Sequence, residues 1–156
     1  MGPIIRPLGT ADFPAFDGLM AQLHGLHADA RPDIFRPGVR PYAEEEFCAM
    51  VADSDTLTLA AEVKGRLAGL CVVTLRTPQN PVMQPEPFAH LEDLCVAPDC
   101  RGRGVGALLF RRAASWAKER GVRRLDLSVW SFNADALAFY GHVGMIPQRT
   151  MMELKL

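Results

Sequence analysis

Residues 98–110, PDCRGRGVGALLF, join the end of an apolar run to the start of a helix and carry three glycines and two arginines. Glycine is costly to order, so Gly102, Gly104 and Gly106 gathered at a helix entrance mean that the backbone bends sharply there or is approached closely by something. The run before them, AHLEDLCVA, reads as a strand. After them Val105, Leu108, Leu109, Ala113, Trp116 and Ala117 recur at helical spacing, Gly121 stops that helix, and RRLDLSVW reads as a second strand. A strand, helix, strand unit implies a parallel pair joined by a right-handed crossover, which commits the chain to an α/β layer. Free amides at the first turn of the helix, together with the positive end of its dipole, form an anion site. Arg101 and Arg103 add charge to the same spot.

The rest of the chain supplies the other layers. IIRPL is a short first strand, and Phe16, Leu19, Met20 and Leu23 mark one buried face of a helix from Ala11 to about Gly25, with Thr10 as its cap. HADARPDIFRPGVRPY, with three prolines, is expected to be a loop before a second helix in AEEEFCAMVAD. TLTLAAEV alternates, Lys64-Gly65 turns the chain, and RLAGLCVVTL follows as its antiparallel neighbour. TPQNPVMQPEPF holds four prolines and cannot be a strand interior. NADALAFYGHVG reads as a short helix and MIPQRTMMELKL as one or two closing strands. The expected architecture is a single α/β domain over residues 1–156, with a mixed central sheet of six or seven strands flanked by about four helices. A chain of 156 residues, 49% hydrophobic, can bury one sizeable core and not comfortably two.

Charge and cysteine usage narrow the partners. A net charge of −1 leaves no basic footprint for nucleic acid, which points to a small-molecule partner. Cys48, Cys71, Cys95 and Cys100 form no C-x-x-C pair and no zinc spacing, and His24 and His27, three residues apart, lack a third ligand, so no metal is expected. No apolar run has the length of a membrane span, and the first residues lack the apolar core of a signal peptide. Reduced thiols in a cytoplasm fit this pattern.

Two kinds of phosphate ligand remain for the glycine junction. GRGVGA formally satisfies the G-x-G-x-x-G/A dinucleotide fingerprint, but Pro98-Asp99-Cys100-Arg101 separate it from its strand and too little chain follows for further βαβ units. The alternative is carried by two motifs. LEDLCVAPDCRGRGVGALL resembles the acyl-CoA-binding motif of the GNAT superfamily of N-acetyltransferases, with Arg101, Gly104 and Gly106 at the fixed places of R-x-x-G-x-G/A. NADALAFYGHVGM is similar to the next signature of that superfamily, an Asn opening a short helix that carries a Phe-Tyr pair. Gly141, His142 and Met145 depart from the more usual residues there. The resemblance extends over essentially the full chain and has some similarity to polyamine-type members such as spermidine/spermine N-acetyltransferase.

What the resemblance implies is an acetyl-CoA-dependent N-acetyltransferase, cytoplasmic and homodimeric, acting on a primary amine of a small molecule or peptide, with no nucleic-acid or membrane partner. The different-class alternative is a CoA-binding regulatory or structural domain without turnover. Backbone amides from Gly102 through Arg103, Gly104, Val105 and Gly106 to Ala107 can cradle a pyrophosphate, screened by Arg101 or Arg103. By the same resemblance, Leu94, Cys95 and Val96 lie along the pantetheine arm, and one of their amides polarises the thioester carbonyl. Asn133, Ala136, Leu137 and Tyr140 share one helix face that could follow the same arm. Tyr140, a phenol that stays protonated at neutral pH, is the candidate acid for the departing thiolate. Glu92 is the candidate base and substrate contact; in plain strand geometry Asp93 faces the opposite side, although a bulge would shift the phase. His27 is a candidate acceptor contact.

Overall fold

The computed structural model describes residues 2–156. The chain begins with β1 (Ile4–Pro7), a 3₁₀ turn (Thr10–Asp12) and the long helix α1 (Phe13–Ala30), followed by α2 (Glu44–Ala52). The hairpin β2 (Thr56–Val63) and β3 (Arg66–Arg76) comes next, then β4 (Phe88–Val96), α3 (Val105–Glu119), β5 (Leu125–Asp126) and α4 (Ala134–His142). Helix α1 passes through Gly25, where a stop is expected from the sequence. Leu26 to Ala30 are mostly good helix formers, Ala28 is buried, and the helix ends only where Pro32 forces Arg31 out of helical geometry.

Five strands form one mixed sheet in the order β1-β2-β3-β4-β5, antiparallel except for β4 and β5. The parallel crossover expected around the glycine junction is therefore present. The six or seven strands expected from the alternating patterns are not formed among the described residues. LDLSVW keeps strand alternation, but only Leu125 and Asp126 pair, with Ala89 and His90, and the closing segment 145–156 is neither helix nor strand. A strand needs a neighbour for its backbone groups, and residues 127–130 and 146–156 find none among the described residues.

Each face of the sheet carries its own core. On one side Phe16, Leu19, Met20 and Phe47 from α1 and α2 pack on Leu70, Val72 and Cys95. On the other Val105, Leu109, Phe110, Ala113, Trp116 and Ala117 from α3 cover Leu59, Cys71, Val73 and Leu91. Gly69 of β3 lets α3 approach: a Cβ there would stand 3.0 Å from the Cys95 carbonyl, 3.1 Å from Leu109 Cδ1 and 3.3 Å from Val105 Cγ1. Two of those three atoms belong to α3, whose N-terminus is the glycine junction. Gly69→Val is expected to destabilise the fold by roughly 1–3 kcal/mol through overpacking, read as a lower urea midpoint with an unchanged slope. An unchanged midpoint would show that α3 can move off the sheet freely.

Candidate functional site

The divergence of β4 from β5 opens the centre of the molecule. On its inner edge β4 pairs with β3 from Arg76↔Phe88 to Gly69↔Val96, while on its outer edge only Ala89 and His90 are paired. The outer edge is therefore open from Leu91 to Val96, and Leu94, Cys95 and Val96 lie in it. Their side chains belong to the cores, Cys95 facing α1 with its Sγ 3.6 Å from the Leu19 carbonyl, and Leu94 and Val96 packing on the α3 side. Core side chains and an available backbone edge coexist on the same three residues.

That open edge runs directly into the glycine turn. Gly102 and Gly104 have φ of 70° and 79°, a left-handed backbone, and nothing stands within 4 Å of where their Cβ atoms would be. Gly106 does different work: its missing Cβ would lie 3.3 Å from Phe139 Cε2, so it lets α4 close against α3. The Leu108 amide donates to the Gly104 carbonyl at 3.0 Å, the first bond of α3, which leaves the Val105, Gly106 and Ala107 amides without intrahelical partners. Arg101 and Arg103 are exposed beside them. Arg101 Nε donates to the Val96 carbonyl at 3.0 Å, tying the turn to the end of β4. A cleft of roughly 670 Å³ lies between this turn and α1, lined by Gln22, Leu26, Ala30, Pro98 and Arg101 among others. Free amides, guanidinium groups and an open strand edge in sequence are the donor set that a pyrophosphate with an amide-bearing arm requires.

The two carboxylates of β4 do not alternate. The register of β3 and β4 slips between Val72↔Asp93 and Val73↔Leu91, a bulge that leaves Glu92 as the extra residue. Asp93 consequently lies on the α1 and α2 face, where the Tyr42 hydroxyl donates to its Oδ2 at 2.6 Å, and it does not face away as plain alternation expects. Glu92 shares that face: its Oε1 accepts from Thr74 Oγ1 and from Arg76 Nη2, both at 2.6 Å. Burial holds the Asp93 carboxyl above its ordinary range, the Tyr42 hydrogen bond opposes this, and the Glu92 charge adds to the rise. Plain strand alternation puts Asp93 on the opposite side, and the bulge that the sequence reading left open is what brings it to this face. Glu92, the residue that reading favoured, is tied to Arg76.

Tyr140 stands on α4 with its ring against Phe110 and Phe139. Burial pushes its phenol well above the usual value, and Cys71 and Asp93 push it further. No hydrogen bond contributes to that shift and no buried side-chain polar atom among the described residues lacks a partner, so the hydroxyl keeps an open approach. Asn133 caps α4, its Oδ1 accepting from the Ala136 amide at 3.1 Å. Asn133 also lines a smaller cleft of about 250 Å³ with Leu26, Ala30 and Phe132.

His27 lies on the last turns of α1 within an aromatic cluster that sequence reading did not assemble. Its ring stacks on Phe35 at 5.4 Å and meets Phe132 edge-on at 6.0 Å, and Trp130 joins Phe35 and Phe132 at 5.6 and 5.9 Å. Burial, then the neighbouring His24, lowers its affinity for a proton, so a neutral imidazole is favoured at pH 7. Phe35 and Phe132 sit in loops, Trp130 ends the LDLSVW segment, and nothing local in the sequence brings the three together. No group of three or more potential metal ligands occurs among the described residues, and no helix is long and apolar enough to cross a membrane.

A family model described as the acetyltransferase (GNAT) family matches residues 21–145. The chain is 38% identical over 93 residues to a streptothricin acetyltransferase of Streptomyces lavendulae, which is 60% of this chain and 45% of that protein, so it spans less than half of that relative's length. It superposes on a mutant of the BH1408 protein of Bacillus halodurans with a TM-score of 0.93 and 34% identity, over 98% of this chain and 99% of that one. It also shares its fold with an aminoglycoside N-acetyltransferase in complex with CoA, at a TM-score of 0.73 and 19% identity over 98% of this chain and 99% of that one.

Proposed function

The chain belongs to the acetyltransferase (GNAT) family, whose members use acetyl-CoA, and from that premise we propose that it transfers the acetyl group of acetyl-CoA to a primary amine of a small molecule or peptide by direct attack in a ternary complex. The observation that carries this reading is the outer edge of β4, open from Leu91 to Val96 and continuous with the free amides of Val105, Gly106 and Ala107. Acetyl-CoA, when bound, supplies an activated thioester. The chain does the rest. Gly102 to Ala107 and the guanidinium groups of Arg101 and Arg103 hold the pyrophosphate, and Leu94 to Val96 present backbone groups to the amide-bearing arm and to the thioester oxygen. Asn133 and Ala136 border the arm from α4.

Two proton movements remain. An ammonium has no lone pair, so a base must take a proton from the acceptor nitrogen, and the leaving sulfur must gain one. Asp93, with a carboxyl held above its ordinary range, takes the first in this reading, while Glu92, held by Arg76, borders the acceptor amine. Tyr140 keeps its proton through the whole working pH range and gives it to sulfur. His27, with Phe35, Trp130 and Phe132, forms an apolar rim for the body of the acceptor. All four cysteines are free, and in this reading the protein works in the cytoplasm as a homodimer.

The test is thiol release from acetyl-CoA with a panel of polyamines, aminoglycosides, amino acids and peptide amines, run beside calorimetric titration of acetyl-CoA alone. Amine-dependent thiol release is expected. Binding of acetyl-CoA with no release across the panel would favour a CoA-binding domain without turnover, and absence of binding would remove the assignment.

A further inference from the structure

Tyr42 stands at the end of the connection between α1 and α2, one residue before Ala43, which caps α2. Its ring meets Phe16 of α1 edge-on at 5.5 Å, and Phe16 in turn packs on Phe47 of α2 at 4.6 Å. Two helices therefore give the ring a fixed seat in the core on that side of the sheet. From this seat the hydroxyl reaches β4 and donates to Asp93 Oδ2 at 2.6 Å.

The two carboxylates of β4 are held differently. Glu92 has two donors, Thr74 and the cationic Arg76. Asp93 has the neutral Tyr42 alone, and among the described residues no cation pairs with it and no other side chain bonds to it. Only Oδ2 is engaged. No buried side-chain oxygen among the described residues lacks a partner, so Oδ1, which has none, keeps an open approach. The ionisable groups around Asp93 are Glu92 and Cys95 on β4, Cys71 on β3, Tyr140 on α4, and Tyr42 with its neighbour Glu46 from the α2 side, while α1 brings the apolar Phe16. Burial pushes both phenols and both thiols upward, so all four carry their protons through the pH range of a carboxylate. Tyr42 is thus a donor to Asp93 at every working pH.

We propose that Tyr42 is the positioning residue of the base: it anchors Asp93 through Oδ2, so that Oδ1 is the oxygen presented to the acceptor nitrogen. This rests on the reading of Asp93 as the group that takes the acceptor's proton. No proton passes through the phenol. The acceptor ammonium gives its proton to Oδ1 and keeps the electron pair, the carboxylate becomes the neutral acid and later returns the proton to water, and the Tyr42 O–H bond stays intact. The segment that ends in Tyr42 also carries Phe35 of the aromatic rim. One stretch of chain therefore sets both the seat for the body of the acceptor and the orientation of the base.

The test is the pH profile of kcat/KM for one amine in the full chain and in Tyr42→Phe, which keeps the ring against Phe16 and removes the hydroxyl alone. The hydrogen bond favours the ionised carboxylate, so its loss moves the acidic limb to higher pH and lowers kcat/KM at neutral pH by about tenfold, with the KM for acetyl-CoA unchanged. Carbon-13 titration of the Asp93 carboxyl, assigned by its absence in Asp93→Asn, moves the same way without turnover. In an Asp93→Asn background, Tyr42→Phe is expected to change kcat/KM by less than about twofold, because no carboxylate is left to orient. Phe16→Leu loosens the seat and keeps the hydroxyl, so it lowers the melting temperature and leaves the limb in place. A limb lost in Asp93→Asn but stationary in Tyr42→Phe would overturn the positioning role and leave the base. A limb that survives in Asp93→Asn would overturn both together, and one moved as far by Phe16→Leu as by Tyr42→Phe would assign the effect to packing and overturn the role of the hydroxyl.

Discussion

Tyr140→Phe is expected to lower kcat by about 10²-fold or more while acetyl-CoA affinity stays nearly unchanged. The ring keeps its packing against Phe110 and Phe139, and only the hydroxyl is lost. That hydroxyl takes no hydrogen bond among the described residues, so its removal leaves no buried partner unsatisfied and the melting temperature should hold. The effect is therefore confined to the reaction. Burial and the nearby Asp93 push the phenol upward, so Tyr140 carries its proton at every pH at which the protein would be assayed. Loss of that donor leaves the sulfur to be protonated by solvent. Single-turnover thiol release measured at saturating acetyl-CoA and amine tests this directly, and a wild-type rate in that experiment would return Tyr140 to a packing role.

Asp93→Asn is expected to lower kcat/KM for the amine by roughly 10²-fold or more and to remove the acidic limb of its pH profile. In the parent protein that limb should lie above the usual carboxylate range, because burial and the adjacent Glu92 disfavour the ionised form more than Tyr42 favours it. Glu92→Gln separates the two carboxylates. It removes one of the charges that raise Asp93, so the limb moves to lower pH and persists, whereas losing Asp93 abolishes it. Comparing two amines of different basicity identifies the part of the profile that belongs to the substrate. A limb unaltered in Asp93→Asn would mean that solvent takes the proton.

Stability provides an opposite and independent readout. A carboxyl whose folded value is raised is neutral in both states at low pH. As pH rises past the ordinary carboxylate value and then through the raised folded value, the folded state is increasingly disfavoured. Above the raised folded value the destabilisation is complete, so at alkaline pH Asp93→Asn, which can still accept the Tyr42 hydroxyl, should melt at a higher temperature than the parent while turning over more slowly. A residue that served only to support the fold would show the reverse.

The glycine junction was legible in the sequence because its geometry is local: positive φ at Gly102 and Gly104, a helix beginning at Val105 and unpaired amides after it are properties of a dozen consecutive residues. The two cores were legible for a similar reason, since helical spacing in α1 and α3 and alternation in β2 already state which side chains turn inward. The cap at Asn133 and the position of Tyr140 two turns later follow from the same periodicity.

The tertiary structure decided what depends on a neighbour. A single bulge opposite Val72 and Val73 turned Asp93 to the side of Tyr42, and no strand pattern reports its own partner's register. His27, Phe35, Trp130 and Phe132 converge from a helix and two loops, which sequence spacing cannot express. Alternation in LDLSVW and MMELKL predicted strands, but alternation specifies only which faces a segment can offer. Whether it becomes a strand depends on a backbone beside it, and beyond the pairing of Leu125 and Asp126 with β4 none is supplied among the described residues.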